Sequence, residues 1–240
     1  MPDSKSPRFI QTWLADAQAE RDAARAALAA TPASVAPKFF YDRLGSHLFE
    51  AITELAEYYP TRTEAAIFAD RGADMAKAIG AGMALVDLGA GNCAKAARLF
   101  PLLEPKRYVA VDISVEFLRD ALRELQRDHP HVVIAGLGQD FSTRLEIPAE
   151  LLGADRPVFF YPGSSIGNFT PDEALAFLRR VHQRVAIEGR GDAEPVVVGC
   201  LENAARLDQV DADQQAAAAG ALAHALQERE RLVGREVADA

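Results

Sequence analysis

The sequence predicts an α/β fold in which helices cover both faces of a Rossmann-like, doubly wound parallel sheet. Short segments that are apolar throughout recur between segments with helical periodicity, as expected of strands that are buried on both sides. The first of these segments ends in Asp87-Leu88-Gly89-Ala90-Gly91, which is typical of a tight turn between a first strand and a helix. Both features favour a sheet that binds its ligand beside this turn.

The apolar patterns place the strands and helices in chain order. Strands are predicted at 84–87, 108–112, 132–135, 158–161 and 196–201. Helices are predicted at 6–29, 48–55, 62–79, 94–103, 116–128 and 171–184. Three regions follow from this order, namely a helical N-terminal segment with tyrosine motifs (1–80), a Rossmann-like domain (81–202) and an Ala-rich helical tail (203–240).

Several helix starts carry residues that suit capping positions. Thr61 can cap the third helix, and Glu64, three residues further on, can complete a capping box. Thr170 and Pro171 suit the N-cap and the first position of the helix that follows the fourth strand. The pair Gly45-Ser46 predicts a turn before the second helix.

The composition restricts the class of partner. A net charge of −9 argues against general nucleic-acid binding, because phosphates are neutralised by clustered Lys and Arg. No apolar run is long enough to cross a bilayer, and the N-terminus lacks the apolar core of a secretory signal. Cys93 and Cys200 do not make a disulfide framework, and His129-Pro130-His131 lacks further nearby metal ligands. We expect a cytoplasmic monomer without a metal that acts on a small molecule.

A nucleoside pocket is predicted where the first two strands end. Glycines at 89 and 91 let the backbone turn sharply and approach a ligand closely, and the following helix presents free N–H groups. Asp112 ends the second strand, where a carboxylate can accept hydrogen bonds from ribose hydroxyls. Because residues 89–94 also fit the dinucleotide fingerprint, an NAD-dependent oxidoreductase is one alternative for this pocket.

Three features favour S-adenosylmethionine over NAD as the ligand. Asp87 stands at the end of the first strand, where it could meet the cationic amine of the methionine group. Asp140 and Phe141 follow the third strand and offer an acceptor and an aromatic face for adenine. Nothing downstream resembles the Tyr-x-x-x-Lys pattern or the paired His and acid of hydride chemistry.

Four sequence blocks then occur in a characteristic order. They are Phe40-Tyr41-Asp42-x-x-Gly45-Ser46-x-Leu48-Phe49, Glu57-Tyr58-Tyr59-Pro60-Thr61-Arg62-Thr63-Glu64, Asp87-Leu88-Gly89-Ala90-Gly91 and Pro162-Gly163-Ser164-Ser165-Ile166-Gly167-Asn168-Phe169. Together they resemble the histidine-specific S-adenosylmethionine-dependent methyltransferases of ergothioneine biosynthesis, over about Ala30 to about Arg180. The resemblance implies a class I methyltransferase fold and trimethylation of the α-amino group of L-histidine, which gives hercynine.

The resemblance also implies which residues hold the cofactor, S-adenosylmethionine. In order from its methionine end to its adenine, they would be Gly89, Gly91 and Lys95, then Asp112 at the ribose, then Asp140 and Phe141. Asp87, assigned above to the methionine amine, belongs to the same set.

On the substrate side, the resemblance implies four residues. Gly163 would lie beside the transferred methyl group, Asn168 at the amino and carboxylate end, Tyr41 near the reacting amine and Tyr58 near the imidazole. Tyr41 and Asn168 are the candidate catalytic residues. The amine must be neutral to attack, and hydroxyl and amide groups are polar without being anionic, so they suit this reaction better than a carboxylate would.

The family pattern normally continues past the fifth strand into a substrate-binding lobe, but this sequence has no tyrosine after Tyr161. A truncated fragment, a reading-frame change near the fifth strand and a short homologue are all compatible with that ending. Because an unfinished parallel sheet leaves an open edge, we expect weakened cofactor binding and impaired histidine methylation in this chain alone. A non-catalytic, degenerate methyltransferase module, which would use the tail to bind a partner, is the second alternative.

Overall fold

A computed structural model describes residues 6–12, 16–188 and 197–199 of the chain. Within these residues the strands are β1 (Arg8–Gln11), β2 (Ala84–Leu88), β3 (Arg107–Asp112), β4 (Val133–Gly138), β5 (Pro157–Tyr161) and β6 (Val197–Gly199). The α-helices are α1 (Ala17–Ala29), α2 (Arg43–Thr53), α3 (Tyr59–Ile79), α4 (Ala94–Ala97), α5 (Phe100–Leu103), α6 (Val115–Asp128), α7 (Ala149–Leu152) and α8 (Pro171–Glu188). Two short 3₁₀ helices, Pro37–Phe40 and Ser165–Asn168, lie between them.

The strands form one parallel sheet in the order β1-β4-β3-β2-β5-β6. After β2 the chain continues to β3 and β4 on one side, and it then crosses to β5 and β6 on the other side. The strand order therefore reverses at β2, and in such sheets ligands bind in the crevice outside the carboxyl ends of the strands at that point. The predicted doubly wound parallel sheet is confirmed.

The core consists of two hydrophobic clusters, one on each face of the sheet. Successive strand residues point to opposite faces, so Leu85 and Phe160 belong to one cluster while Val86 and Phe159 belong to the other. All four side chains are at most 1% exposed. Because both faces are covered, apolar residues predominate on both faces of the central strands, which is the pattern from which they were predicted.

The predicted helix over 6–29 is wrong at its beginning, where β1 forms an edge of the sheet. β1 pairs in parallel with β4, and Phe9 and Ile10 pack against opposite clusters. The pairing requires a residue without a side chain in β4, because a Cβ at Gly136 would lie 2.5 Å from the Phe9 ring. The helix itself begins after Asp16, whose carboxylate accepts the Gln18 and Ala19 N–H groups. Trp13 lies outside the described residues.

Three further differences concern helix boundaries. The predicted helix at 94–103 is two short helices, since Pro101 cannot donate the amide hydrogen bond that would continue α4. Gly45-Ser46 lies inside α2 rather than in a turn, because Asp42 caps that helix through the Gly45 N–H. α3 begins at Tyr59, so the expected Thr61 cap does not form.

Other boundaries agree closely with the sequence. β2, β3 and β5 lie within one residue of their predicted bounds, whereas β4 is displaced by one residue at its start and extends to Gly138. Thr170 precedes α8 and exchanges hydrogen bonds with Glu173, in agreement with the predicted start. Within the predicted strand 196–201 the structure describes Val197–Gly199, and the predicted helical tail at 203–240 lies outside the described residues.

Candidate active site

The turn after β2 has the backbone geometry that its glycines permit. Gly89 and Gly91 have φ values of 72° and 54°, in the left-handed region that glycine adopts without strain. The Gly89 N–H donates to the Val111 carbonyl at 2.8 Å, which ties the turn to β3. A Cβ at Gly89 would lie 3.5 Å from the Phe141 ring, so this ring lies directly against the turn. The structure thus brings together the predicted methionine-end and adenine-side residues.

Asp112 joins the glycine turn to the start of α6. Its Oδ2 accepts the Gly91 N–H at 2.9 Å, and its Oδ1 accepts the Ser114 N–H at 2.9 Å. Burial raises the pKa of Asp112, and these backbone hydrogen bonds oppose the shift by favouring the carboxylate. Each oxygen keeps a second lone pair. The carboxylate is therefore held in a fixed position beside the turn and can accept further hydrogen bonds there.

Asp87 lies deeper, beneath the same turn. Its carboxyl is 1% exposed, and its Oδ2 accepts the Tyr108 hydroxyl at 2.7 Å. No described residue hydrogen-bonds to its Oδ1. Burial raises the pKa of Asp87 to about 7. An unpartnered buried oxygen can accept a cationic group or keep a proton, and the predicted contact with an amine stays a prediction.

Asp140 and Phe141 form the wall that follows β4. The Asp140 Oδ1 accepts the Ser142 N–H at 3.1 Å and is also contacted by the Ser142 hydroxyl, which holds this carboxylate at the strand end. The Phe141 ring packs against Tyr161 and Phe177, with ring centroids 5.8 and 5.7 Å apart. This wall combines an acceptor with an aromatic face, and the predicted contact with adenine stays a prediction.

An aromatic cluster from the N-terminal segment contains two of the predicted substrate residues. The ring of Phe49 makes edge contacts with Tyr41 and Tyr58, at centroid distances of 6.3 and 5.9 Å. Burial raises the pKa of Tyr41, and the neighbouring Asn168 side chain opposes this shift. The predicted substrate residues Tyr41, Tyr58 and Asn168 therefore lie together, although they come from distant parts of the sequence.

This arrangement agrees with the result of sequence comparison. A family model described as "Histidine-specific methyltransferase, SAM-dependent" matches residues 20–229. The chain belongs to this family. Its match to the histidine N-alpha-methyltransferase of Mycolicibacterium smegmatis is 38% identical over 166 residues and covers 68% of this chain and 50% of that protein.

Two further relatives illustrate the range of the histidine-specific methyltransferase family. The histidine N-alpha-methyltransferase of Mycobacterium tuberculosis is 37% identical over 182 residues, with 74% of this chain and 54% of that protein covered. The 4-dimethylallyltryptophan N-methyltransferase of Claviceps purpurea is 31% identical over 163 residues, and the match covers 64% of this chain and 47% of that protein. The chain spans about half the length of the curated relatives it matches.

The residues at the cleft fit the S-adenosylmethionine on which the histidine-specific methyltransferases depend. An acceptor carboxylate at Asp112, an aromatic face at Phe141 and an ammonium at Lys95 suit its ribose, adenine and carboxylate, respectively. Its amine and sulfonium are cations, and the buried Asp87 lies nearby. Among the described residues, no group of three or more His, Cys, Asp and Glu could hold a metal, and no helix could cross a membrane.

Two residues of the site were not predicted as site residues, namely Glu64 and Ser114. Glu64 is 4% exposed and, instead of completing a capping box, contacts Lys95 and the Gly163 N–H. The Ser114 hydroxyl contacts the Tyr41 carbonyl, while its N–H binds Asp112. Ser114 occupies the N-cap position of α6, but its side chain makes no capping bond. The contacts of Glu64 and of the Ser114 hydroxyl do not follow from local sequence, because their partners are distant in the chain.

Proposed function

We propose that this protein transfers methyl groups from S-adenosylmethionine to the α-amino nitrogen of L-histidine, with hercynine as the trimethylated product. The observation that carries the proposal is the contact between Tyr41 and Asn168, beside the ribose-side carboxylate of Asp112. The Tyr41 hydroxyl and the Asn168 amide are polar but uncharged, and they lie at the edge of the cofactor cleft where a reacting amine would enter. Membership of the histidine-specific family and the printed names of the mycobacterial relatives support histidine as the substrate.

In the proposed reaction the sulfonium supplies an activated methyl group, so the residues of this chain mainly align the reactants. Asn168 and Tyr41 would hold the amine by hydrogen bonds, and neither group at neutral pH carries the negative charge that would stabilise an ammonium. The raised pKa of Tyr41 keeps its hydroxyl protonated. The Glu64 carboxylate is paired with Lys95 at 2.5 Å, which limits its effect on the amine.

The aromatic cluster of Tyr41, Phe49 and Tyr58 supports a substrate with a flat side chain. Tyr58 would contact the imidazole of histidine through its ring or its hydroxyl. The tryptophan-derived substrate named for the Claviceps relative also carries an α-amino group beside an aromatic ring. We therefore infer that the amino-acid backbone is bound by Asn168 and Tyr41, and that the side chain is selected by the aromatic cluster.

Cofactor binding and methyl transfer provide the test. The purified chain should bind S-adenosylmethionine and not NAD in a calorimetric titration. Mass spectrometry of L-histidine incubated with the chain and S-adenosylmethionine should detect methylated histidine. Asn168→Ala should lower the rate at least tenfold while cofactor affinity changes little, because Asn168 would contact substrate. Tyr41→Phe should raise the KM for histidine, and Tyr59→Phe is the matched control at a neighbouring tyrosine.

The outcomes separate the competing functions. Binding of NAD alone would contradict the proposal and favour an oxidoreductase. Binding of S-adenosylmethionine without transfer to any amino acid would favour a non-catalytic methyltransferase module. The cytoplasmic location belongs to the same proposal, since it rests on the absence of a disulfide framework in the sequence.

A further inference from the structure

We infer that Glu64 is a positioning residue for the cofactor, which it influences by holding Lys95 at the methionine end of the cleft. The inference rests on the proposed function, because it assigns Lys95 to the carboxylate of S-adenosylmethionine. It concerns a residue of α3, which carries no predicted cofactor contact of its own.

The contacts of Glu64 reach both loops that border the cleft. Its Oε2 lies 2.5 Å from the Lys95 Nζ, in α4 behind the glycine turn. Its Oε1 accepts the N–H of Gly163, in the turn that follows β5. The two loops also lie close to each other, since a Cβ at Gly163 would be 3.0 Å from the Lys95 Nζ. One carboxylate thus connects the carboxyl ends of two neighbouring strands.

Stability alone is a weak explanation for this carboxylate. The Glu64 side chain is 5% exposed and that of Lys95 is 38% exposed. Removing a carboxylate from water costs free energy, and buried ion pairs are often no more stabilising than apolar side chains. A role in the site would explain why Glu64 is buried. Glu64 restricts the position of the Lys95 Nζ, while the exposed part of Lys95 can still contact a ligand in the cleft.

Glu64 also connects the cofactor side to the substrate side. Tyr58, the proposed imidazole contact, is the residue directly before α3, and Glu64 lies in the second turn of the same helix. The turn that begins at Gly163 leads into the 3₁₀ helix Ser165–Asn168, which contains the proposed amine contact. The position of Glu64 therefore sets the spacing between the segment that holds Tyr58, the segment that holds Asn168 and the ammonium of Lys95.

A double-mutant cycle between Glu64 and Lys95 tests the inference on the full chain. Calorimetry would measure the affinities of wild type, Glu64→Gln, Lys95→Met and the double variant for S-adenosylmethionine and S-adenosylhomocysteine. Each single variant should bind both ligands about 5- to 50-fold more weakly, and the double variant should be no weaker than Lys95→Met. The losses should be equal for the two ligands, because both carry the same amino and carboxylate groups.

The control is Asp74→Asn, which removes the same charge from an exposed position of α3 and should leave both affinities unchanged. Thermal unfolding of each variant reports whether the fold persists, and Glu64→Asp, which keeps the charge but shortens the side chain, replaces Glu64→Gln if that variant does not fold. The loss of ligand affinity caused by Glu64→Asp should be smaller than that caused by Glu64→Gln, and it should also vanish in the Lys95→Met background.

Three results would overturn the inference. Additive losses in the double variant would mean that Glu64 acts on the site independently of Lys95. A loss confined to S-adenosylmethionine would mean that the carboxylate acts on the sulfonium, since S-adenosylhomocysteine is a neutral thioether. A wild-type chain that binds neither ligand would overturn the proposed function and this inference with it, whereas the first two results leave the proposed function intact.

Discussion

Asp87 is the residue from which we expect the largest pH dependence of stability. Burial raises its pKa from 3.8 to about 7, while the hydrogen bond from Tyr108 opposes the shift. A carboxyl whose pKa is higher in the folded than in the unfolded chain stabilises the folded state only while it is protonated. Its contribution is therefore fully present below the unfolded pKa and is lost as the pH rises through the folded pKa.

The magnitude follows from the two pKa values. Between them, the Asp87 contribution to the free energy of unfolding falls by about 1.4 kcal/mol per pH unit. Over the interval from 3.8 to about 7 the fall amounts to about 4 kcal/mol. In Asp87→Asn the side chain cannot ionise, yet its amide oxygen can still accept the Tyr108 hydroxyl. The free energy of unfolding of Asp87→Asn should therefore not show this decrease with rising pH.

Urea unfolding of the wild type and Asp87→Asn at a series of pH values from about 4 to 8 is the assay. The free energy of unfolding of the variant, relative to that of the wild type, should rise with pH over this range. Asp70→Asn removes an exposed carboxylate of α3 and is the control. Its free energy of unfolding should differ little from that of the wild type and should not rise relative to it with pH. If wild type and Asp87→Asn have parallel pH profiles, the reasoning from burial to a raised pKa is refuted.

Three predictions concern the same cleft. S-adenosylmethionine binding near pH 7 should release protons, measured by calorimetry in buffers of different ionisation enthalpy, because an ammonium beside Asp87 favours its carboxylate; the absence of proton release would contradict that contact. Asp112→Asn should weaken S-adenosylmethionine binding by about 1.5 to 3 kcal/mol, since an amide places a donor against the Gly91 or Ser114 N–H. An unchanged affinity in the same titration would exclude the ribose role. Gly163→Ala should also weaken S-adenosylmethionine binding and lower the midpoint of thermal unfolding. The reasons are that φ is 86° at Gly163 and that the added methyl would lie 3.0 Å from the Lys95 Nζ. Unchanged affinity and midpoint would contradict the close approach of Gly163 to Lys95.

The central strands could be predicted from sequence because burial on both faces leaves a local signal. Val86 and Leu85 face opposite clusters, so a polar group is disfavoured at either position, and the segment is apolar apart from Asp87. The ends of these strands can also be predicted, since Asp112 is the last residue of β3 and Asp140 lies two residues after β4. Parallel strands present their carboxyl ends at one edge of the sheet, and for this reason residues read separately from the sequence meet at one cleft.

β1 could not be predicted because its stabilising partners are distant in sequence. Phe9 and Ile10 have no alternating neighbours that would indicate a strand, and the charged helical segment that follows dominated the pattern. Their pairing with β4 depends on Gly136, more than a hundred residues later, which leaves room for the Phe9 ring. Tertiary contact decides the structure of such a short segment, since strand propensity depends strongly on its surroundings.

Glu64 was misinterpreted for a related reason, and the correction bears on function. Three residues after Thr61 it has the spacing of a capping box, which is a local interaction at the end of a helix. Because α3 begins at Tyr59 instead, Glu64 lies inside the helix and faces the cleft, where it contacts Lys95 of α4 and the Gly163 N–H in the turn after β5. A three-residue change in where the helix begins thus converts an expected capping residue into a contact between the two sides of the cleft. This is the contact that the double-mutant cycle measures.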